Sequence, residues 1–131
     1  MRIALDTSVV LRLLVGQPAD QAASAVALLD ELARGGHHPI LSDLVVSETY
    51  SALQHHYGLS KSDSLSGLRR LFADGEIQSA GVAAEVLEIE RLATAKPGFV
   101  DRLIHGDYAV TADEMVTFEK AAKKLKRVRV L

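Results

Sequence analysis

Ile3-Ala4-Leu5, closed abruptly by Asp6, is the stretch that most constrains the fold of this chain. An apolar run without polar alternation suits a strand buried on both faces, and such strands belong to parallel sheets covered by helices. Two hydroxyl residues, Thr7 and Ser8, follow the carboxylate. The apolar spacing then resumes through Val9, Val10, Leu11, Leu13, Leu14 and Val15, which predicts a helix with Asp6, Thr7 or Ser8 near its N-cap. Ligand chemistry in open α/β sheets gathers at the carboxyl ends of the strands, so Asp6 is expected at that edge.

The rest of the chain repeats the alternation. Gly16-Gln17-Pro18 is a break, and Asp20 opens an alanine-rich helix over Gln21 to Arg34, ended by Gly35-Gly36. Ile40-Leu41 reads as a second buried strand, and Ser42-Asp43 as the cap of a helix from Leu44 to Tyr57. On that helix Val46, Tyr50, Leu53 and Tyr57 share a core-facing stripe, with Leu44, Glu48 and Ser51 on the other side. Ser60 caps a helix over Lys61 to Ala73, Asp74-Gly75 turns, and Glu76 to Ser79 reads as a short strand.

A helix from Val82 to Ala95 is punctuated by Lys96-Pro97-Gly98. Phe99, Val100, Leu103 and Ile104 mark a short helix with Asp101 in its first turn, ending at Gly106. Asp107 to Glu114 is an irregular or short helical connection. Met115 to Phe118 is a strand candidate leading to Glu119, followed by a helix over Lys120 to Leu125 and a last strand, Val128 to Leu131. Strands alternating with helices imply right-handed crossovers and a parallel sheet covered on both faces.

With 131 residues, 48% of them hydrophobic, and neither repeats nor linkers, residues 1–131 are expected to form a single domain with a sizeable core. A net charge of -2 excludes a generally basic nucleic-acid binder, so any such contact needs a local patch. The lack of cysteine excludes disulfides, thiolate metal sites and cysteine nucleophiles. No run of roughly 18 uncharged apolar residues occurs, and the N-terminus does not read as a signal peptide. The expectation is a soluble cytoplasmic protein without membrane contact.

Asp6 and Glu119 each follow a strand, while Glu48 and Asp101 sit in the first half of helices that follow strand or turn breaks. Each acid has an ordinary role open to it. Asp6 suits a helix cap, Asp101 a partner of the helix dipole, Glu48 a solvated helix residue, and Glu119 a first-turn acid. If the four converge at one sheet edge, their mutual repulsion calls for protons or a divalent cation. An all-oxygen donor set favours Mg²⁺ or Mn²⁺ over zinc.

The ordered set I-A-L-D-T-S-V-V-L-R-L-L, V-S-E ending at Glu48, G-F-V-D ending at Asp101 and V-T-F-E ending at Glu119 resembles the PIN-domain ribonucleases. It is closest in style to the VapC toxins of bacterial toxin–antitoxin pairs, and the likeness spans essentially the whole chain. The resemblance implies a three-layer α/β/α sandwich around a central parallel sheet of four to five strands. It also implies a Mg²⁺- or Mn²⁺-dependent endonuclease that hydrolyses RNA to 5′-phosphate and 3′-hydroxyl ends. Asp6, Glu48 and Asp101 match the first three metal-binding acids of the family. Glu119 stands where the fourth is usually aspartate, with Asp113 and Glu114 as substitutes nearby. Ser8 and Thr117 match polar positions beside the site. The implied partners are an RNA substrate, a cognate VapB-like antitoxin inserting a basic side chain among the acids, and a second copy in a homodimer.

Lys120, Lys123, Lys124 and Arg127 fall on one face if the last helix reaches that far, where they either meet phosphates or form a solvated terminus. His105, four residues after Asp101, shares its face. Two rival readings stay open. One is a catalytically impaired PIN-like binding module acting through a protein partner. The other, a phosphatase with an aspartate nucleophile, usually needs a second aspartate where Ser8 stands.

Overall fold

Five short parallel strands and six helices build the chain in this computed structural model, which describes every residue from Met1 to Leu131. β1 (Arg2–Ala4), β2 (His38–Leu41) and β3 (Gln78–Ser79) form one sheet in the order β1-β2-β3. β4 (Met115–Thr117) and β5 (Val128–Val130) form a second. The expected α/β class with parallel pairing is therefore present, but divided into a three-stranded and a two-stranded sheet. All pairings within both sheets are parallel.

β2 begins two residues before the expected Ile40, and it includes Pro39. Proline has no N–H to give a central strand. It is accommodated because the two-residue β3 pairs only with Ile40 and Leu41, so at Pro39 the strand has a single neighbour, opposite Ile3.

The helices α1 (Thr7–Val15), α2 (Ala19–Arg34), α3 (Asp43–His55) and α4 (Lys61–Ala73) follow the apolar spacing closely. Ser42 and Ser60 cap α3 and α4, their hydroxyls accepting from the N–H groups of Val45 and Asp63. α2 starts earlier than expected, with Pro18 at its N-cap, and α3 stops at His55 rather than Tyr57.

The largest departures lie in the second half. In place of one helix from Val82 to Ala95 there is a five-residue α5 (Ala83–Leu87), a turn, and a 3-10 helix over Leu92–Thr94. Continuing α5 would require the Leu87 carbonyl to accept from the Arg91 N–H. That carbonyl instead accepts from the Arg69 guanidinium, through Nε at 3.1 Å and Nη2 at 2.9 Å, and Arg91 turns into the left-handed region at φ 56°. Conversely α6 (Phe99–Tyr108) runs through Gly106, where the sequence predicted its end. A Cβ at Gly106 would overlap the side chain of Val82, so the glycine serves the close approach of α6 to the start of α5.

The core joins Leu5, Val10 of α1, Leu41 of β2, Val46 and Leu53 of α3, Leu68 of α4, Leu87 of α5 and Leu103 of α6. Tyr50 of α3 meets Phe99 of α6 edge-on, with ring centroids 5.1 Å apart. Nothing from the last seventeen residues enters this core, and beyond Tyr108 only Ala122 is buried. No helix is long and apolar enough to cross a membrane.

Candidate functional site

Asp6 stands where the β1 ladder ends. The Leu5 N–H still donates to the Ile40 carbonyl at 3.1 Å, and the next residue is the N-cap of α1. Its backbone carbonyl accepts from Val9 and Val10, but its carboxylate makes no cap hydrogen bond. The side chain is exposed and held only by the Ser8 hydroxyl, which donates to Oδ2 at 3.2 Å. Thr7, next in sequence, buries its hydroxyl without any hydrogen-bond partner. The cap alternative for the Asp6 side chain is thus not realised, and most of its lone pairs are free.

Glu48 lies on the exposed face of α3, as expected, beside Leu44 and Ser51. Asp101 sits exposed in the first turn of α6, where a carboxylate complements the helix dipole. Neither has an ion-pair partner; the sole ion pair joins Arg129 to Glu114 at 3.0 Å. That bridge engages Glu114, which with Asp113 is a nearby alternative to Glu119 in the sequence.

Glu119 is used locally. Its Oε1 accepts from the Ala121 N–H at 3.2 Å, capping the 3-10 helix Lys120–Lys124, while its own N–H donates to the Thr117 hydroxyl at 3.0 Å. Glu119 is thus the N-cap of that helix and not an acid of its first turn, the local role expected from the sequence. The four acids do not converge: no three His, Asp or Glu side chains stand close enough together to hold a metal ion. Asp6, Glu48 and Asp101 are carboxylates paired with no cation of the chain.

The basic stripe is broken. The 3-10 helix ends at Lys124, whose Nζ donates to the Lys96 carbonyl at 2.9 Å. Arg127 turns left-handed at φ 56° and donates to the Ala109 and Ala112 carbonyls at 3.1 and 3.3 Å, closing the end of α6. Lys120 and Lys123 stay exposed and unpaired. His105 is likewise employed structurally, with Nε2 2.8 Å from the Lys126 carbonyl oxygen.

The sequence reading missed Asp43. It sits next to the Ser42 cap, yet its carboxylate serves another helix, accepting from the Val82 N–H at 3.0 Å and the Ala83 N–H at 2.9 Å. The Ser42-Asp43 pair marked a cap, but a partner 39 residues away leaves no local signal. Asp43 thereby shapes a groove of about 450 Å³ at the carboxyl ends of β2 and β3, walled by α3 and α6. Leu44, Val100 and Ile104 line it; Leu44 is largely exposed and the other two partly so. Ser47 and Val100, also in its lining, directly precede Glu48 and Asp101.

No family model, no curated protein and no solved structure matches this chain.

Proposed function

We propose that this protein is a Mg²⁺- or Mn²⁺-dependent ribonuclease of the PIN-domain type, acting as the toxin of a toxin–antitoxin pair. The observation that carries this reading is Asp6. It follows a parallel strand that is itself largely exposed, with only Leu5 beyond it buried, begins a helix, leaves its carboxylate uncapped, and has no cation of the chain beside it. In this reading Asp6 and Asp101 are the main metal ligands, Glu48 a ligand or the group that orients the attacking water, and Glu119 a peripheral ligand. The bound cation would lower the pKa of a water and stabilise the leaving oxygen of a phosphodiester. Ser8 orients Asp6, and Thr117 orients the backbone at Glu119. Lys120 and Lys123 supply positive charge toward the RNA.

The same reading completes the sheet. β1 and the β4–β5 pair each keep an unpaired edge. Joining the two sheets would give one five-stranded parallel layer between helices and carry Glu119 toward Asp6. The groove between α3 and α6 suits a VapB-like antitoxin, with apolar side chains against Leu44, Val100 and Ile104 and a basic one toward Glu48 and Asp101. A second copy in a homodimer belongs to the same proposal, as does a cytoplasmic location.

The test is cleavage of a defined RNA by purified protein in Mn²⁺, with end-mapping of the products. Asp6→Asn and Asp101→Asn should each lower the rate by more than the roughly 10–100-fold that loss of an outer-shell partner costs, and EDTA should abolish it. Equal cleavage by these variants, or in excess EDTA, would overturn the reading.

One observation favours a second reading, a PIN-like binding module that pairs with a partner protein without cleaving RNA. It is the capture of the Glu119 carboxylate by its own helix. Manganese binding without cleavage would support it, whereas a gain in rate with Glu119→Asp would favour the enzyme.

A further inference from the structure

Arg69 and Arg91, two cations that the proposed chemistry leaves unused, face a common cleft between α4 and the segment Leu87 to Ala93. We propose that this cleft is a phosphate subsite that holds the backbone of a single-stranded RNA outside the acid edge. The identity of the carrier as RNA rests on the ribonuclease reading; the affinity for phosphate does not.

Ser62, Ser66 and Arg69 recur at intervals of four and three on α4, so they form one exposed stripe along the rim of the cleft. Arg91 stands on the opposite rim. Buried Leu65, Leu87 and Leu92 make the floor. The space of about 160 Å³ is some tenfold more than the roughly 10–15 Å³ needed to hold a single water. It accepts a tetrahedral anion with part of its attached chain.

The electrostatics are one-sided. No carboxylate lines the cleft, and neither arginine is neutralised, because neither takes part in an ion pair. Arg69 is preorganised: Nε and Nη2 are both spent on the Leu87 carbonyl, which fixes the guanidinium plane and leaves the Nη1 donors free. A donor already held in place loses little conformational freedom when a ligand arrives.

Arg91 makes no hydrogen bond in the chain through its side chain and occupies the left-handed region, at φ 56° and ψ 36°, which costs a non-glycine residue about 1 kcal/mol. That conformation sets it across from the α4 stripe. Two guanidinium groups and two hydroxyls are a donor set for phosphate oxygens. An apolar floor, carrying no side-chain acceptor to read a base edge, suits binding of the backbone without regard to sequence.

The test uses the full chain in EDTA, so that RNA is bound and not cut. Arg91→Asn removes the charge while tolerating the left-handed backbone, and Ser66→Asp places a carboxylate on the rim of an exposed helix face. Inorganic phosphate should shift the amide resonances of residues 91–93 and the Arg69 Nε–H in the wild type, and should lose that effect in both variants. In anisotropy titrations with a single-stranded RNA, Arg91→Asn should bind more weakly and lower the slope of log K against log salt by about 0.7. Ser66→Asp should weaken binding further.

Wild-type slope and phosphate response in both variants would overturn the subsite while leaving the ribonuclease reading intact. Failure of the wild type to bind RNA at all would overturn RNA as the carrier and count against the ribonuclease reading too. Asp6→Asn separates the two sites from the other side: it should lose cleavage in Mn²⁺ and keep the phosphate shifts.

Discussion

The segment from Met1 to Tyr108 and the segment from Met115 to Leu131 are held by different forces. The first is organised around a continuous apolar core that reaches from Leu5 to Leu103. Its helices are further tied by the Asp43 carboxylate at the start of α5 and by Arg69 at its end. The second packs its strands and 3-10 helix chiefly against one another and leaves Val116, Phe118 and Leu131 exposed. Its side-chain hydrogen bonds to the first segment are His105 to Lys126 and Lys124 to Lys96, while Arg127 holds the Ala109 and Ala112 carbonyls of the connection between the two.

Elements with few buried apolar contacts open at low free energy. The contrast bears directly on the candidate site. Asp6, Glu48 and Asp101 ride on the well-packed body, whereas Glu119 rides on the polar-tethered end.

Core truncation is the strongest test of the contrast. Leu41→Ala removes a side chain with no exposed surface and should cost about 3 kcal/mol in urea unfolding. Phe118→Ala, at a position 79% exposed, should stay within roughly 0.5 kcal/mol. A Phe118→Ala cost rivalling that of Leu41→Ala would show that the C-terminal segment buries this ring in solution, as joining the two sheets could require. Comparing the pair with and without Mn²⁺ sharpens the point: a cost for Phe118→Ala that appears only with the metal would tie sheet closure to cation binding.

Gly106→Ala should come next, at about 1–3 kcal/mol, because the added methyl meets Val82 and forces α6 away from α5. Adding Val82→Ala should recover part of the loss, and a purely additive double variant would break the packing argument. A smaller effect, about 1 kcal/mol, is expected from Arg127→Asn, which keeps a residue tolerant of the left-handed backbone but loses the reach to the Ala109 and Ala112 carbonyls. Amide exchange should speed up selectively in β4 and β5. Uniform acceleration across both segments would mean that they open as one unit.

Periodicity carried the first two-thirds of the fold. The stripes of α1 to α4 and the serine caps are local patterns, and local patterns are what one sequence displays. The errors cluster where a distant side chain decides the outcome. Arg69 ends α5 by taking the Leu87 carbonyl, and Val82 explains why Gly106 lies within a helix rather than after one. The candidate acids were legible as residues that follow strands or open helices. That the four acids stand apart in the fold was not legible, because no spacing within the chain encodes how its helices and two sheets meet. Asp43 borders a local cap and serves a remote one, so nothing near it in the sequence marks its partner.

Tyr50 supplies a probe of the body alone. Burial against Phe99 raises its phenol above the ordinary value of 10.0, opposed by a weaker influence of Gln54. The raised value means that the folded state holds this proton more tightly than the unfolded chain does. The associated stability is fully present below the unfolded phenol's pKa and is lost as pH rises through the folded value. At neutral pH the group is protonated in both states and contributes no slope. Above pH 10 the wild type should lose stability with a component that Tyr50→Phe lacks, visible as a fall of the wild-type urea midpoint relative to that of the variant as pH rises. Exchange protection in β4 and β5 should follow the same titration only if the C-terminal segment is coupled to the α3–α6 contact. Unchanged protection there, with loss in α3 and α6, is the expected result.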